Sequence, residues 1–378
     1  MTNWQQVRLG NVCKFQNGKK RPKEPGKYPV FGGNGILDYT NQFNSNVGVI
    51  VGRVGAYCGS VFLSKEKCWV SDNAILGINT SDTDIIYLYY LLKSLNLNAK
   101  HIGSGQPLIT QDILNNIQIL LPPLDVQKKI AVVLGALDDK IELNNKINNN
   151  LEPQAQALFK SWFVDFEPFG GTMPKDWKVG NLLDIADYLN GLAMQKFRPA
   201  ENDKGLPVLK IKELRQGFCD SNSELCSLNV KNEYIVNDGD VIFSWSGSLL
   251  VDFWCGGKCG LNQHLFKVTS KNFDKWFYFL WTKHYLEHFA FIAADKATTM
   301  GHIKREELEK AKVIIPSSEC YQKMKQIMTP IYDLLISNRV ENTRLSALRD
   351  ALLPKLMSGE IDVSKVDINK FNAADMLL

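Results

Sequence analysis

One long internal repeat constrains the fold of this 378-residue chain more than any other feature. Residues 109–162 recur as residues 303–356 at a constant offset of 303 − 109 = 194. A period this long indicates duplicated domains, because solenoid units are only about 20 to 50 residues long. The sequence therefore predicts two similar halves, an arrangement suited to a target with approximate two-fold symmetry. Landmarks that keep the offset are Ile109 and Ile303, Leu114 and Leu308, Pro122 and Pro316, Asn144 and Asn338, and Leu158 and Leu352.

The first half is predicted to be a small α/β domain. It opens with an amphipathic segment, residues 4–15, and a lysine-rich loop, residues 17–26. Short apolar runs separated by Gly and Asn then indicate strands, with one helix before the last of them. The predicted strands are residues 28–31, 47–51, 60–63, 75–78 and 117–121, and the predicted helix is residues 85–95.

The second half follows the same course with a longer interior. Trp177 corresponds to Trp4 and Gly191 to Gly18 at an offset of 173, which leaves 194 − 173 = 21 extra residues inside the second domain. Residues 241–247 (VIFSWSG) resemble residues 49–55 (VIVGRVG), each a strand that runs into a glycine turn. A helix is predicted over residues 274–289 and a last strand over residues 313–315, just before Pro316.

Composition is that of an ordinary globular protein, 45% hydrophobic and 22% charged. The net charge is +4, but the first 122 residues hold 12 Lys and Arg against 7 Asp and Glu, so the first domain is basic. We find no signal-peptide pattern and no apolar run typical of a membrane span, so a cytoplasmic location is expected. The eight cysteines should then be reduced. Cys255 and Cys259 near His264 could supply half a zinc site, but no second pair completes it, and ordinary thiols are expected.

After each proline the chain is predicted to form a long amphipathic helix. Apolar residues and asparagines recur every seven positions from residue 124 to 162 and again from residue 324 to 356. So narrow an apolar stripe predicts that the two helices pack on each other, with asparagines at equivalent positions that specify the register. The predicted seam consists of Leu134, Leu137, Ile141, Asn144, Asn148, Leu151, Ile331, Leu335, Asn338, Asn342 and Leu345.

Two features of these helices remain open at the level of sequence. The helices could instead serve only to complete the core of the adjoining domain. Pro153 removes a backbone donor and is expected to kink or interrupt the first helix near Asn149, whereas its counterpart Ala347 is not.

Short motifs recur in the same order in the two halves of the chain. They are Gly103-Ser104-Gly105-Gln106-Pro107-Leu108-Ile109, Ile119-Leu120-Leu121-Pro122-Pro123-Leu124 with Gln127, Thr298-Thr299-Met300-Gly301-His302-Ile303, Val313-Ile314-Ile315-Pro316 with Gln322, Asn262-Gln263-His264, and the weaker Ser71-Asp72-Asn73. The second copy is less complete, with Ser317 in place of a second proline. In the order and duplication of these motifs, the chain resembles the specificity subunit of type I restriction-modification systems. The resemblance covers essentially the whole chain.

The resemblance implies a mixed α/β (α+β) fold with two similar globular target-recognition domains. Each would be followed by a long helix, and the two helices would pair as an antiparallel coiled coil with pseudo-two-fold symmetry. The implied boundaries are residues 1–122 and 171–316 for the recognition domains, 123–170 for the central helix and spacer, and 317–378 for the C-terminal helix and tail.

The resemblance also implies a non-catalytic reader of double-stranded DNA. Each domain would contact one half of a bipartite, asymmetric sequence, with the helix pair as a spacer. Methylation subunits, two of them in the expected assembly, would dock on the helices and carry S-adenosylmethionine, and restriction or translocase subunits would join them. This chain itself would bind no cofactor or metal and would supply no catalytic residue. It has no Asn-Pro-Pro-Tyr type motif and no phosphate-binding GxxxxGK[ST] loop.

Basic and polar residues on predicted loops are the candidate DNA contacts. Arg53 lies in Gly52-Arg53-Val54-Gly55, where the backbone can approach a partner and the guanidinium can fork onto guanine or phosphate. The alternative is a turn arginine paired with a local carboxylate. Trp245 takes its place in the second half, so the halves are expected to read different sequences. The further candidates, each also compatible with a local or solvated role, are Lys19, Lys20, Arg21, Lys23, Ser104, Gln106, Lys196, Arg198, His264, Thr298, Thr299, His302, Lys304 and Arg305.

Two other classes of function are compatible with parts of the sequence. A coiled-coil scaffold would bring partner enzymes together without reading DNA sequence, and neutralising Lys19, Lys20, Arg21 and Arg53 would then have little effect. An autonomous methyltransferase or nuclease would need a cofactor or metal, for which the chain offers no convincing ligands.

Overall fold

The computed structural model describes residues 4–103, 105–201, 203–295 and 303–367. The chain divides into two compact units. The first consists of Met1–Lys140 together with Ser346–Leu378, and the second of Ile141–Leu345. Each long helix therefore contributes one part to each unit.

The first half of the chain alternates short strands with short helices and ends in a helix of 40 residues. Its strands are β1 Gln5–Arg8, β2 Cys13–Asn17, β3 Pro25–Gly32, β4 Gly35–Thr40, β5 Gly48–Gly52, β6 Val61–Ser64, β7 Trp69–Val70, β8 Ala74–Asn79 and β9 Gln118–Leu121. Its helices are α1 Leu9–Val12, α2 Ile85–Ser94, α3 Gln111–Asn115 and α4 Leu124–Phe163.

The second half repeats this course and also ends in a helix of 40 residues. Its strands are β10 Lys178–Asn181, β11 Asp187–Asn190, β12 Leu206–Leu209, β13 Leu225–Cys226, β14 Ile235–Val236, β15 Val241–Ser244, β16 Leu250–Phe253, β17 Cys259–Leu261, β18 Leu265–Thr269 and β19 Lys312–Ile315. Its helices are α5 Leu182–Ile185, α6 Ile211–Gln216, α7 Lys275–His284, α8 Leu286–Asp295, α9 Arg305–Lys310 and α10 Ser318–Met357.

The first unit is built on an antiparallel sheet with the strand order β2-β8-β5-β6. Strand β5 is buried along its whole length, which explains why its sequence is a continuous apolar run. A smaller sheet, β4-β3-β7, contains a parallel pair, and β9 closes the unit by pairing with β1.

The second unit has the same frame. Its main sheet has the order β11-β18-β15-β16, its smaller sheet again contains a parallel pair, β12 with β17, and β19 pairs with β10. The predicted duplication of an α/β domain is therefore confirmed, strand for strand in the main sheet.

Gln127, which follows the proline pair in the first copy of the motif, is a buried structural residue. Its Oε1 accepts a hydrogen bond from the Asp84 N–H at 3.0 Å, and its Nε2 donates to the carbonyls of Pro122 at 2.9 Å and Asp82 at 3.1 Å. Asp84 in turn caps α2 by accepting from two N–H groups of its first turn. This amide therefore ties the start of α4 to the start of α2.

Two predicted elements take a different form in the structure, and β4, β7 and α3 of the first half were not predicted. The segment 4–15 is not one amphipathic element but β1, α1 and the start of β2. The helix predicted over residues 274–289 is two helices, α7 and α8, separated at Tyr285. At the break, the Tyr285 hydroxyl donates to the Lys312 carbonyl at 2.6 Å, a tertiary contact that sequence periodicity does not reveal.

Helix α4 is not interrupted at Pro153, so the predicted interruption is wrong. Downstream of the proline, Ala155, Phe159 and Phe163 are buried in the core of the second unit. Packing of this last part of the helix thus outweighs the lost backbone hydrogen bond, about 3 kcal/mol in an isolated helix.

Within the second unit, α4 and α10 pair antiparallel through the predicted asparagines. Asn144 Nδ2 donates to Asn342 Oδ1 at 2.9 Å, and Asn338 Nδ2 donates to Asn148 Oδ1 at 2.9 Å. From the first pair to the second, the residue number rises by four in α4 and falls by four in α10, so the two helices run in opposite directions. In the first unit the same direction of pairing is marked by an ion pair between Arg349 and Asp138 at 2.6 Å. The antiparallel coiled coil and its asparagine register are therefore confirmed.

The alternative role for the helices is also realised, since they complete both cores. Ile130 and Leu134 of α4 and Leu356 of α10 are buried in the core of the first unit. Phe159 of α4 and Met328 of α10 are buried in the core of the second. Pairing and core formation are thus two uses of the same apolar stripe.

Asn148→Ala is expected to destabilise the second unit by about 1 to 3 kcal/mol, because the buried amide of Asn338 loses its partner. The double variant Asn148→Leu with Asn338→Leu should be as stable as the wild type or more so, since neither polar group is then left buried. Urea unfolding measures both. Asn149→Ala is the control, because Asn149 is exposed on the same helix. It should change the free energy of unfolding by less than about 0.5 kcal/mol. An Asn148→Ala variant as stable as the wild type would contradict the stabilising role of this buried amide pair.

Candidate nucleic-acid interface

Arg53 lies on a sharp turn that follows β5. Its N–H donates to the Asn73 carbonyl at 2.9 Å, and its carbonyl accepts from the Ile109 N–H at 2.9 Å. Gly55, two residues on, has φ = +73°, a left-handed conformation that favours glycine. The backbone of Arg53 is thereby held between two other segments of the first unit.

Three further segments meet at this turn. Lys19 forms a parallel bridge with Ser71, so the lysine-rich loop runs beside the turn 71–73. Gly18 is required there, because a Cβ at this position would lie 1.9 Å from the Ser71 carbonyl oxygen. On the other side, Ile102 and Leu108 exchange backbone hydrogen bonds of 2.9 and 3.0 Å and close a hairpin loop that contains Gln106.

The second unit repeats several backbone hydrogen bonds and the close approach of this framework. Gly191 donates to the Leu265 carbonyl at 3.0 Å, as Gly18 does to that of Ala74 at 3.0 Å. The Ile303 N–H donates to the Trp245 carbonyl at 3.0 Å, which makes Trp245 the positional equivalent of Arg53. A Cβ at Gly191 would lie 2.2 Å from the Asn262 carbonyl oxygen, so the close approach is also repeated. We refer to these two loop clusters as the first and second loop frameworks.

The two frameworks carry different side chains at the equivalent position. In the part of the chain that the structure describes, the Arg53 guanidinium forms no ion pair with a carboxylate, and its buried Nε has no hydrogen-bond partner. The alternative of a turn arginine paired with a local carboxylate is therefore not what the structure shows. A guanidinium held on a fixed backbone and without a protein partner is suited to a bidentate acceptor such as guanine or phosphate.

Trp245 is held more firmly by its own unit. Its indole N–H donates to Asn190 Oδ1 at 2.9 Å, and its ring lies 5.6 Å from that of Phe266 and 6.1 Å from that of His264. His264 Nδ1 lies 3.2 Å from Ser246 Oγ. The second framework thus presents a half-buried aromatic surface where the first presents a cation.

The remaining predicted contacts fall into two groups. Lys19, Lys20, Arg21 and Lys23 are exposed on the loop of the first framework, and Arg21 also reaches Asp38 at 3.9 Å. Lys196 and Arg198 are exposed on the corresponding loop of the second. Gln106 is exposed on the hairpin loop, and Lys304 and Arg305 are exposed at the start of α9, next to Ile303. The predicted contacts Ser104, Thr298, Thr299 and His302 lie outside the described residues.

Sequence reasoning missed three basic residues beside the second framework. Lys210, Lys212 and Arg215 belong to α6 and the residue before it, and they line two cavities of about 450 and 380 Å³. The basic residues of Lys210-Ile211-Lys212-Glu213-Leu214-Arg215, directly after the apolar strand β12, were the available signal.

The cysteines and histidines do not form a metal centre in the described ranges, where no cluster of three or more His, Cys, Asp or Glu side chains is placed to hold an ion. Burial raises the pKa of the Cys255 thiol to about 11, and a hydrogen bond to Cys219 together with burial raises the pKa of Cys259. Among the described residues, no helix is long and apolar enough to cross a membrane.

Two regions of the chain, residues 1–153 and 174–346, match the family model described as the type I restriction modification DNA specificity domain. The chain belongs to this type I specificity family. Each match spans one loop framework and most of the long helix that follows it, so the family's unit is present once in each half of the chain.

Similar proteins bear out the family. The chain is 32% identical over 302 residues to the MjaIX specificity subunit of Methanocaldococcus jannaschii, a match that covers 74% of this chain and 70% of that protein. It is 25% identical over 410 residues to the MjaVIII specificity subunit of the same organism, covering 97% and 94%. A type I S subunit from M. genitalium has a similar fold, with a TM-score of 0.64 at 17% identity over 94% of this chain and 96% of that one.

Proposed function

We propose that this specificity-family chain recognises a bipartite, asymmetric sequence in double-stranded DNA and performs no chemistry itself. The observation that carries this proposal is the repetition of one loop framework with Arg53 in one copy and Trp245 in the other. A repeated frame with different side chains at the equivalent position suits a reader of two different half-sites.

Electrostatics supports the assignment of the exposed basic loops to DNA. Lys19, Lys20 and Lys23 are exposed on one loop beside the Arg53 turn. Contacts of this kind position a protein on the phosphate backbone, while a fixed arginine on the adjacent turn can read a base edge. The first framework therefore places both kinds of contact on neighbouring segments of the fold.

The proposal includes the partners that perform the chemistry. Modifying a base within a duplex requires the base to be flipped into a catalytic pocket. We assign that step to methylation subunits, two in the expected assembly, which hold S-adenosylmethionine and dock on α4 and α10. Restriction or translocase subunits would join the same assembly, and the cytoplasm is its expected location.

Selection from a random duplex library tests this function. The chain, purified with its cognate methylation subunit, should enrich a motif with two fixed segments and a spacer of constant length. Enrichment of no sequence would favour the scaffold alternative, in which partner enzymes assemble on the helices without reading DNA. Moderate salt should be used throughout, because phosphate contacts make nonspecific affinity fall steeply with ionic strength.

Insertion of one heptad into both α4 and α10 is expected to change the length of the spacer and leave both half-sites unchanged. Seven residues add about 10 Å to a helix, the length of roughly three base pairs. The motif enriched by the longer variant gives the result directly. A spacer of unaltered length would contradict the role of the helix pair as a ruler.

A further inference from the structure

The second unit contains an insertion that the first unit lacks. Register in the parallel pairs equates Val208 with Val30, because β12 opposes Gly260 and Leu261 where β3 opposes Trp69 and Val70. From there to the start of the next equivalent strand, Val241 and Val49, the second unit uses 241 − 208 = 33 residues and the first 49 − 30 = 19. Fourteen of the 21 extra residues therefore lie in this interval, and the interval contains α6.

Helix α6 is fixed in place by its inner face. Leu214 and Glu213 are each 3% exposed. The Glu213 carboxylate accepts from the Lys210 N–H at 3.2 Å and from Ser223 Oγ at 3.1 Å. Gly217, with φ = +84°, ends the helix. A helix held in this way presents its other residues in a defined direction.

The outer face of α6 faces the second loop framework. One cavity of about 380 Å³ is shared by Lys210, Lys212 and the turn Asn262-Gln263-His264. A second, of about 450 Å³, is shared by Lys212, Arg215 and Ser248. Ile211 also approaches the same framework, since its Cδ1 lies 3.9 Å from the position of a Cβ at Gly247. The two cavities share Ile211 and Lys212 in their lining, and we call them together the α6 groove.

The charges of the α6 groove are not equivalent. Lys212 pairs with Asp220 at 3.3 Å, and Lys210 pairs with Glu224. Arg215 is exposed and has no ion pair or side-chain hydrogen bond within the described residues. Because Lys212 and Arg215 are three residues apart, they lie on the same side of the helix. Arg215 is thus the cation of this groove that is available to a ligand.

We propose that α6 is a DNA-reading element present in the second unit alone, and that Arg215 is a specificity-determining residue for the second half-site. The inference rests on the proposed function and names the residue through which one of its two sites acts. The Arg215 guanidinium donates two hydrogen bonds to a base edge in the major groove, and Lys210 and Lys212 lie along the phosphate backbone of the DNA. The two half-sites are therefore read by different devices, and not merely by different side chains on the same frame.

The test compares Arg215→Ala and Arg215→Lys with the wild type, each purified with the methylation subunit. We expect Arg215→Ala to lose the preference at one base pair of the second half-site and to bind the full site about 10- to 100-fold more weakly. Arg215→Lys keeps the charge but not the fork, so the same base-pair preference should relax. The first half-site and the spacer should be unchanged.

Lys271→Ala is the matched control, because Lys271 is an exposed lysine just beyond the far end of β18 from His264. It removes the same charge and should leave the motif intact. An unchanged motif for Arg215→Ala, or weakening that is uniform across sequences, would overturn the proposal, since uniform loss marks a phosphate contact. A wild-type complex that selects no motif would instead refute the proposed function itself.

Discussion

Phe163→Ala is expected to destabilise the second unit by about 3 to 5 kcal/mol, the range for removal of a fully buried phenylalanine. Phe163 is 1% exposed at the end of α4. Its ring centroid lies 5.8 Å from that of Trp177, 6.3 Å from that of Trp276 and 5.5 Å from that of Phe277. Because this ring joins the helix to the core of the second unit, the cavity left behind has few ways to collapse.

Unfolding followed by tryptophan fluorescence measures this change, since Trp177 and Trp276 border the cavity. Phe291→Ala is the matched control, because it deletes the same atoms from a side chain that is 74% exposed to solvent. Its effect should be below about 0.5 kcal/mol. Equal effects of the two substitutions would show that the end of α4 is not part of this core.

Arg53→Ala is expected to abolish the preference at one base pair of the first half-site and to weaken binding by about 10- to 100-fold. The reason is the fixed backbone of Arg53, held by Asn73 and Ile109, with a guanidinium that has no carboxylate partner among the described residues. Arg53→Lys should retain part of the affinity and lose the base preference, because an ammonium group cannot form the bidentate fork.

Binding of variants to the selected duplex and to its single-base changes measures the effect of Arg53. Arg8→Ala provides the control, since Arg8 is an exposed arginine of β1 in the same unit. If Arg53→Ala and Arg8→Ala weaken binding equally and for all sequences alike, Arg53 contributes only charge. Unaltered affinity for Arg53→Ala would remove it from the interface altogether.

The sequence predicted well those features that depend on a regular repeat along the chain. Asn144 and Asn148 each lie in a series of residues that recurs every seven positions, and this pattern predicted amides that meet across a helix pair, as they do at 2.9 Å. The constant offset predicted two copies of one domain, and the strand orders agree. In both cases the relevant neighbours occur at regular intervals along the chain, so a linear pattern is sufficient to identify them.

The features that the sequence did not predict depend on contacts between distant segments. The break at Tyr285 is accompanied by a hydrogen bond from its hydroxyl to the Lys312 carbonyl, and the continuity of α4 through Pro153 is accompanied by the burial of Phe159 and Phe163. Local rules for helix termini and proline were overridden there by tertiary packing.

The candidate site also has one part that the sequence predicted and one part that it did not. The turn of Arg53 and the equivalence of Trp245 were evident from the aligned motifs, since each is a strand followed by a glycine turn. The α6 groove was not, because no residue of the first unit corresponds to α6. Only the register of β12 against β17 shows that this helix lies beside the turn 262–264.

Sequencing of methylated bases in the genome of cells that express this chain with its methylation subunit tests the central claim most directly. Cells that lack this chain alone are the comparison. The proposed function predicts a bipartite motif with methyladenine in both halves that disappears with the chain. A methylation pattern that is identical with and without this chain would contradict its role as the reader of DNA sequence.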